Sequence, residues 1–550
     1  MLNNQNPTII SPWKAELVKD IFPGEFDLSA DNLTNFNNTL YFQPYQTKSF
    51  HYSYYSAKEQ LWKSDGTEAG TNLLKDLGLY AYNSPISEVN NNTLYFQVYS
   101  ENPSPNAPSI QLWKTDGTDT GIQLVKDLGS SLDINSFIPV ENNLYFTAGD
   151  LFASAQLLWK TDGTETGTVL VKDFDNNISN VREINNSLYL DVNQYNPVTF
   201  TSTAQLWKTD STNTGVELIK DFGDLTFGSS YQDNTVIVND ILYFEVGRAY
   251  SYSLPSTQLS QLWKSDGTNT GTTVVKDFGS IRNINYFFGE VNNTFYFSVS
   301  LPNPENSAAT TYELWKSDGT DAGTTLVQNL GNYAPGYLTT VNNTLYFTLN
   351  NYDSLTNTSS NQLWKIDGTN GNVSLIKDAG NFLIKELETI DNNLYFQISN
   401  YDYNTKISTA QLWKTDGTDI GTTLVKDFPN ASFPISYEKL QSINNTLYFQ
   451  LTDPTYGTEL WMSDGTETGT IMVADINPGK GSSSPSLPVD VNGTLYLLAD
   501  DGIHGNELWK LTSTQLGSDV RSLAMSNLKL MSEVISTYQL PNFSNSSNGF

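Results

Sequence analysis

The side chains that do most enzymatic chemistry are scarce in this chain. Its 550 residues include two histidines and no cysteine, which removes thiolate metal sites, cysteine nucleophiles and disulfides. His51 and His504 lie far apart in sequence, with no other histidine to build a metal centre and no nucleophile motif around them. Carboxylates are plentiful, 59 against 29 cationic side chains, for a formal charge of −30. None stands out by spacing as one of a hydrolytic acid pair. An enzyme is therefore not expected, and no catalytic residue is assigned.

What does recur is Asp-Gly-Thr, at Asp65, Asp116, Asp162, Asp266, Asp318, Asp367, Asp416 and Asp464, with Asp210-Ser-Thr as a variant. An Asp before Gly accepts hydrogen bonds from its own turn, and Gly tolerates positive φ, so a turn lock accounts for the recurrence. Calcium usually needs six or more oxygen ligands. Each loop offers one Asp and an occasional neighbour such as Glu68 or Asp119. Asp65, Asp116 and Asp162 are thus at most weak Ca²⁺ ligands, and no other cofactor is implied. Seventeen of the 29 cationic residues also belong to the repeat, as Lys after Trp or Lys before Asp. They are expected to pair, within or between blades, with the adjacent aspartates Asp20, Asp76, Asp127 and their equivalents, each exposed pair contributing about 0–1 kcal/mol, which leaves no basic patch for nucleic acid.

The remaining candidates are aromatic. Tyr45, His51, Tyr52, Tyr54, Tyr55, Tyr195, Tyr250, Tyr252, Tyr352, Tyr401 and Tyr403 fall in variable, Asn/Ser/Thr-rich stretches. Tyrosine offers stacking area with few rotors, and amides and hydroxyls offer directional hydrogen bonds, a combination suited to glycan or protein partners. The competing reading is that these stretches only solvate the rim of the fold.

The elements that position these residues follow from a repeat. Leu-Trp recurs at Trp62, Trp113, Trp159, Trp207, Trp263, Trp315, Trp364, Trp413, Trp461 and Trp509, at spacings of 46 to 56 residues. Around each lies a four-strand unit, as in Ile86–Asn90, Leu94-Tyr-Phe-Gln-Val, Gln111-Leu-Trp-Lys and Gln123-Leu-Val-Lys-Asp. Near-alternation of apolar and polar residues, with Asn-Asn and Asp-Gly punctuation, predicts strands and hairpins. A period near fifty predicts a propeller or solenoid. The chain opens with an orphan fourth strand, Glu16-Leu-Val-Lys-Asp-Ile, while the last repeat stops after its third, so the two complete one blade and close a ring.

The expected fold is all-β: a propeller of ten four-stranded blades over 13–510, with two five-bladed rings as the alternative. Blades about 10 Å apart would enclose a channel of Cα radius about 16 Å. Short turns gather on one face and variable loops on the other. Residues 1–12 form an extension. Within 511–550, Asp519–Tyr538 carries apolar residues at helical spacing, predicting an amphipathic helix that covers the propeller or engages a second chain. The tail from Pro541 is expected to be disordered.

The phrase ELWxSDGTxxGTxLVKDI resembles the ELWxxDGT repeat of bacterial proteins, and the strand order resembles a kelch-type blade. The family's short hairpin before Glu-Leu-Trp is kept at Asp501-Gly-Ile-His-Gly and in part at Asp453-Pro-Thr-Tyr-Gly. The resemblance implies a fold and no established reaction. Acidity disfavours nucleic acid and anionic membranes as partners. No apolar run long enough to span a membrane and no signal-like N-terminus is visible. Composition leads to the expectation of a bacterial surface or exported binding module, with a purely structural protein and a propeller-type hydrolase as alternatives.

Overall fold

Two kinds of tight turn fix the blades. In Asn37-Asn38, Asn292-Asn293, Asn342-Asn343 and Asn444-Asn445 both residues adopt left-handed φ between 46° and 60°. This is the turn whose twist matches the right-handed twist of a β-hairpin, and asparagine tolerates it better than most residues. It joins the first and second strands. The Asp-Gly-Thr turn joins the third and fourth.

The computed structural model describes residues 13–21, 27–47, 58–79, 86–89, 93–100, 109–118, 120–130, 132–150, 156–174, 177–196, 201–209, 215–227, 235–248, 259–280, 282–302, 310–353, 358–402, 407–434 and 440–513. Among these there is no helix, and no segment is a helix long and apolar enough to cross a membrane. The predicted helix at Asp519–Tyr538 lies outside the described residues.

The strands form ten antiparallel sheets. Blades 1 to 9 comprise 27–79, 86–130, 132–173, 177–221, 226–277, 283–331, 334–380, 383–429 and 441–472. Blade 10 joins 489–513 to the N-terminal strand Trp13–Lys19. In blade 5 the first strand is split into Thr226–Phe227 and Thr235–Val238.

Within a blade the register is set by burial. The second strand carries the apolar run, as in Leu40-Tyr41-Phe42, all at most 1% exposed. Phe42 lies opposite Trp62, which lies opposite Leu73. Between Leu61 and Trp62 the ladder slips by one residue, and the same slip recurs at Trp113, Trp207, Trp263 and Trp413. The fourth strand holds two consecutive apolar residues, which a regular pleat would send to opposite faces. The bulge turns the second inward: Val125, Ile219, Val275 and Val425 are buried. The first of each pair, such as Leu124 or Leu424, stays more than 40% exposed.

The core lies between blades. Val238, Tyr243 and Leu262 of blade 5 pack with Ile284, Phe295 and Phe297 of blade 6, which rules out two five-bladed rings. Closure is made by Val18, Ile21, Val491, Tyr496 and Leu508 of the last blade against Leu40 and Phe42 of the first. The N-terminal strand pairs with Asn506–Ser513 from Trp13↔Ser513 to Lys19↔Leu508, as its sequence predicts.

Removing residues 1–21 exposes the unpaired edge of Asn506–Ser513. The truncated chain should melt at lower temperature and self-associate on size-exclusion chromatography, and a peptide of residues 13–21 should reverse both changes. An unchanged melting curve would refute closure by this strand.

Candidate functional site

The recurrent residues are consumed by the joints between blades. In each Asp-Gly-Thr turn the carboxylate binds its own loop: Asp65 Oδ1 accepts from Thr67 N at 2.9 Å and Thr67 Oγ1 at 2.7 Å. Asp116 and Asp162 do the same with Thr118 and Thr164. These bonds, the threonine hydroxyl's first, hold the carboxyls of Asp65, Asp116 and Asp162 below their ordinary range. The turn lock explains the motif. Among the described residues no group of three or more His, Cys, Asp or Glu is placed to hold a metal ion.

Glycine has a second reason to recur. At Gly319, φ is 85°, and a Cβ there would overlap the hydroxyl of Tyr243 from the preceding blade. The same Tyr-on-Gly contact joins Tyr496 to Gly66 across the closing seam, and Tyr395 to Gly465. Burial first, and the Asp416 charge second, push the Tyr346 hydroxyl up to about 12.

Lys276 Nζ pairs across a joint with Asp321 Oδ1 at 3.0 Å, but other lysines are engaged differently from the expected pairing with the adjacent fourth-strand aspartates. Successive residues of a strand point to opposite faces, so Lys and the following Asp are separated by the sheet. Lys264, Lys414 and Lys510 instead donate to the carbonyls of Gly319, Gly465 and Gly66 in the next blade, each at 2.9 Å. Fourth-strand lysines lie over the next blade's tryptophan, Lys75 at 3.9 Å from the Trp113 ring and Lys377 at 4.0 Å from Trp413. Such contacts contribute about 0.5–2 kcal/mol each. The aspartates bind a glutamine two residues before Trp. Trp113 Nε1 donates to Gln111 Oε1 at 3.0 Å, and Gln111 Nε2 donates to Asp127 Oδ2 at 3.2 Å. The recurrence of Gln at that spacing was the available signal.

Four of the candidate ligand residues lie in described strands, toward the end opposite the tight turns. Tyr195, Tyr352 and Tyr401 occupy one repeat position at the far end of the second strand, opposite Ser202, Ser359 and Ser408. Those of blades 7 and 8 are on neighbouring sheets. Tyr352 is 63% exposed. Tyr45 lies in the corresponding strand of blade 1. His51, Tyr52, Tyr54, Tyr55, Tyr250, Tyr252 and Tyr403 lie outside the described residues. On the same face, Tyr456 and Ile503 are exposed at the tips of the short hairpins of blades 9 and 10. His504 Nδ1 lies 2.8 Å from Asp501 Oδ2. That bond, then the charges of Asp501, Asp20 and Glu507, hold the imidazole above its ordinary pKa.

No known protein family matches the chain, and no curated protein matches it in sequence. Solved structures of related shape include a prolyl endopeptidase from a study of two such enzymes. It shows 10% identity over 69% of this chain and 54% of its own, with TM-score 0.35. The acylaminoacyl peptidase of Pyrococcus horikoshii shows 13% identity over 68% of this chain and 58% of its own, with TM-score 0.30. The β-propeller domain of the Trilobed protease from Pyrococcus furiosus shows 12% identity over 63% and 97%, with TM-score 0.28. This chain thus aligns with little more than half the length of the first two. Likenesses this distant carry no argument about activity.

Two consequences can be measured. Gly319→Ala should destabilise the ring by more than about 1 kcal/mol in denaturant unfolding, because it combines positive φ with the Tyr243 overlap; a change near zero would dismiss the joint. Stability should also fall on both sides of mildly acidic pH. The lowered aspartates stabilise above their unfolded value of 3.8 and lose that contribution as pH falls through their folded values. Glu245 and Glu459, raised by burial to about 7, contribute fully below 4.5 and lose it as pH rises through about 7. Melting temperature should therefore drop between about pH 5 and pH 8, less so in Glu245→Gln, and an identical slope in that variant would refute the assignment.

Proposed function

We propose that the protein is a non-enzymatic binding module of a bacterial surface or exported protein, recognising a glycan or a protein through the variable face of the propeller. One observation carries the reading. The repeat residues of the tight-turn face are engaged in their own turns and in joints between blades, the exposed Ile420 there being no repeat residue, while the opposite face presents exposed aromatic side chains, Tyr352 and Tyr456, and the apolar Ile503. Recognition generally resides in loops that vary on a fixed scaffold, and tyrosine with serine and asparagine suits hydroxyl-rich or proteinaceous ligands. The ring supplies preorganisation, so binding need not order the scaffold.

A glycan array run beside a pull-down from cell-surface extract tests this directly. Retention in either arm, weakened at least tenfold by joint replacement of Tyr52, Tyr54 and Tyr55 with serine at nearly unchanged melting temperature, is the expected result. Retention in neither arm would favour a purely structural protein. Turnover of chromogenic glycoside or peptide substrates would replace the proposal with a hydrolase.

A further inference from the structure

Nine of the ten repeat tryptophans are followed by lysine, and the exception is Met462 in blade 9. The lysine has a definite task. Lys264, Lys365, Lys414 and Lys510 donate to the carbonyl of the turn glycine in the next blade, Gly319, Gly417, Gly465 and Gly66 respectively. Blade 9 is followed by blade 10, whose third strand runs on as Lys510-Leu511-Thr512-Ser513 without an Asp-Gly-Thr turn, because its fourth strand comes from the other end of the chain. A lysine at 462 would have no turn carbonyl to reach. Its ammonium would instead lose water against the cluster of Tyr448, Leu460 and Leu511 on which Met462 packs.

Two neighbouring positions are adapted to the same gap. The residue two after Trp is Ser or Thr in eight blades, where its hydroxyl can accept from the amide of the turn glycine, as Ser64 does for Gly66 and Ser463 for Gly465. In blade 10 it is Leu511, wholly buried. The other exception, Ile366, belongs to blade 7, whose turn is closed by main-chain bonds from Gly371 N to Asp367 O and from Asp367 N to Asn372 O. The second-strand tyrosines Tyr395 and Tyr496 rest on the turn glycines of the next blade, Gly465 and Gly66. Tyr448 has no turn glycine ahead of it, yet it is only 2% exposed.

Trp13 occupies this gap. It is the first residue of the N-terminal strand and lies opposite Ser513. Like Met462 it packs against the cluster that contains Tyr448, Leu460 and Leu511, and its Nε1 donates to Met462 Sδ at 3.2 Å. A thioether can accept from an indole N–H, whereas an ammonium has only donors. We propose that Trp13 and Met462 form a lock peculiar to the closing seam: Trp13 stands in for the missing turn, and methionine replaces lysine in order to receive it. The strand is thereby held from two sides, by its main-chain ladder within blade 10 and by a side chain of blade 9. At its other end Ile21 N donates to the buried Glu507 Oε2 at 2.9 Å.

Hydrogen exchange of the full chain, followed by mass spectrometry, tests the lock. Met462→Lys, which restores the repeat residue, and Trp13→Phe, which keeps a ring and removes the donor, should each lower protection of residues 13–19 at least about threefold while leaving the strands of blades 4 and 5 unchanged. Lys414→Met, the reverse exchange at a joint that has its turn, should leave 13–19 protected as in wild type. Adding Trp13→Phe to Met462→Lys should lower protection little further, because the two residues act as one contact. Wild-type protection of 13–19 in either single seam variant would overturn the proposal, as would an equal loss of protection in every blade, or a loss at 13–19 in Lys414→Met as large as that in Met462→Lys.

Discussion

Everything in this molecule depends on the joint between one blade and the next. A four-stranded sheet of this size cannot bury its own faces, so each blade must present to its successor the surface that its predecessor presented to it. The apolar part of the joint is large and unspecific, built from Leu, Phe and the tryptophan rings. Its registry comes from polar and steric contacts that recur with the repeat. Tyr243 rests on Gly319, Lys264 reaches the carbonyl of the same glycine, and fourth-strand lysines cover the next tryptophan. The ring closes because the N-terminal strand completes the last blade.

That constraint changes the meaning of the Asp-Gly-Thr motif. A motif repeated on an acidic surface invites a reading as a chain of ion sites. Here the aspartate is occupied by its own threonine, and the glycine is required twice over, by φ and by the neighbouring tyrosine. The recurrent residues describe how the ring is built. Binding must then be sought where the repeat stops being a repeat, at the ends of the second and third strands on the other face, and this is the physical basis of the functional proposal.

Much of the architecture was legible in the sequence because its determinants are local. Asn-Asn and Asp-Gly name their turns, the Leu-Tyr-Phe run names the buried strand, and the orphan Glu16–Ile21 segment names its place in the last blade. What escaped is non-local or depends on the pleat. Strand alternation parts each fourth-strand Lys from the Asp that follows it, so that Lys276 reaches Asp321 of the next blade instead. The bulge beside most of the repeat tryptophans was hidden in an ordinary-looking pair such as Leu124-Val125. The bond from Ile21 N to Glu507 Oε2 joins opposite ends of the chain and appears only on closure. Of the candidate ligand tyrosines, Tyr352 is exposed, and Tyr195 and Tyr401 share its repeat position, a regularity invisible without register.

The most direct test of the joint is a double-mutant cycle between Lys75 and Trp113, which belong to successive blades and lie 3.9 Å apart. Replacing Lys75 by Met and Trp113 by Leu, singly and together, isolates the interaction from the packing each side chain provides. Denaturant unfolding should give a coupling energy of about 0.5–2 kcal/mol. Additive effects, within about 0.3 kcal/mol, would contradict the view that these repeated residues serve the next blade.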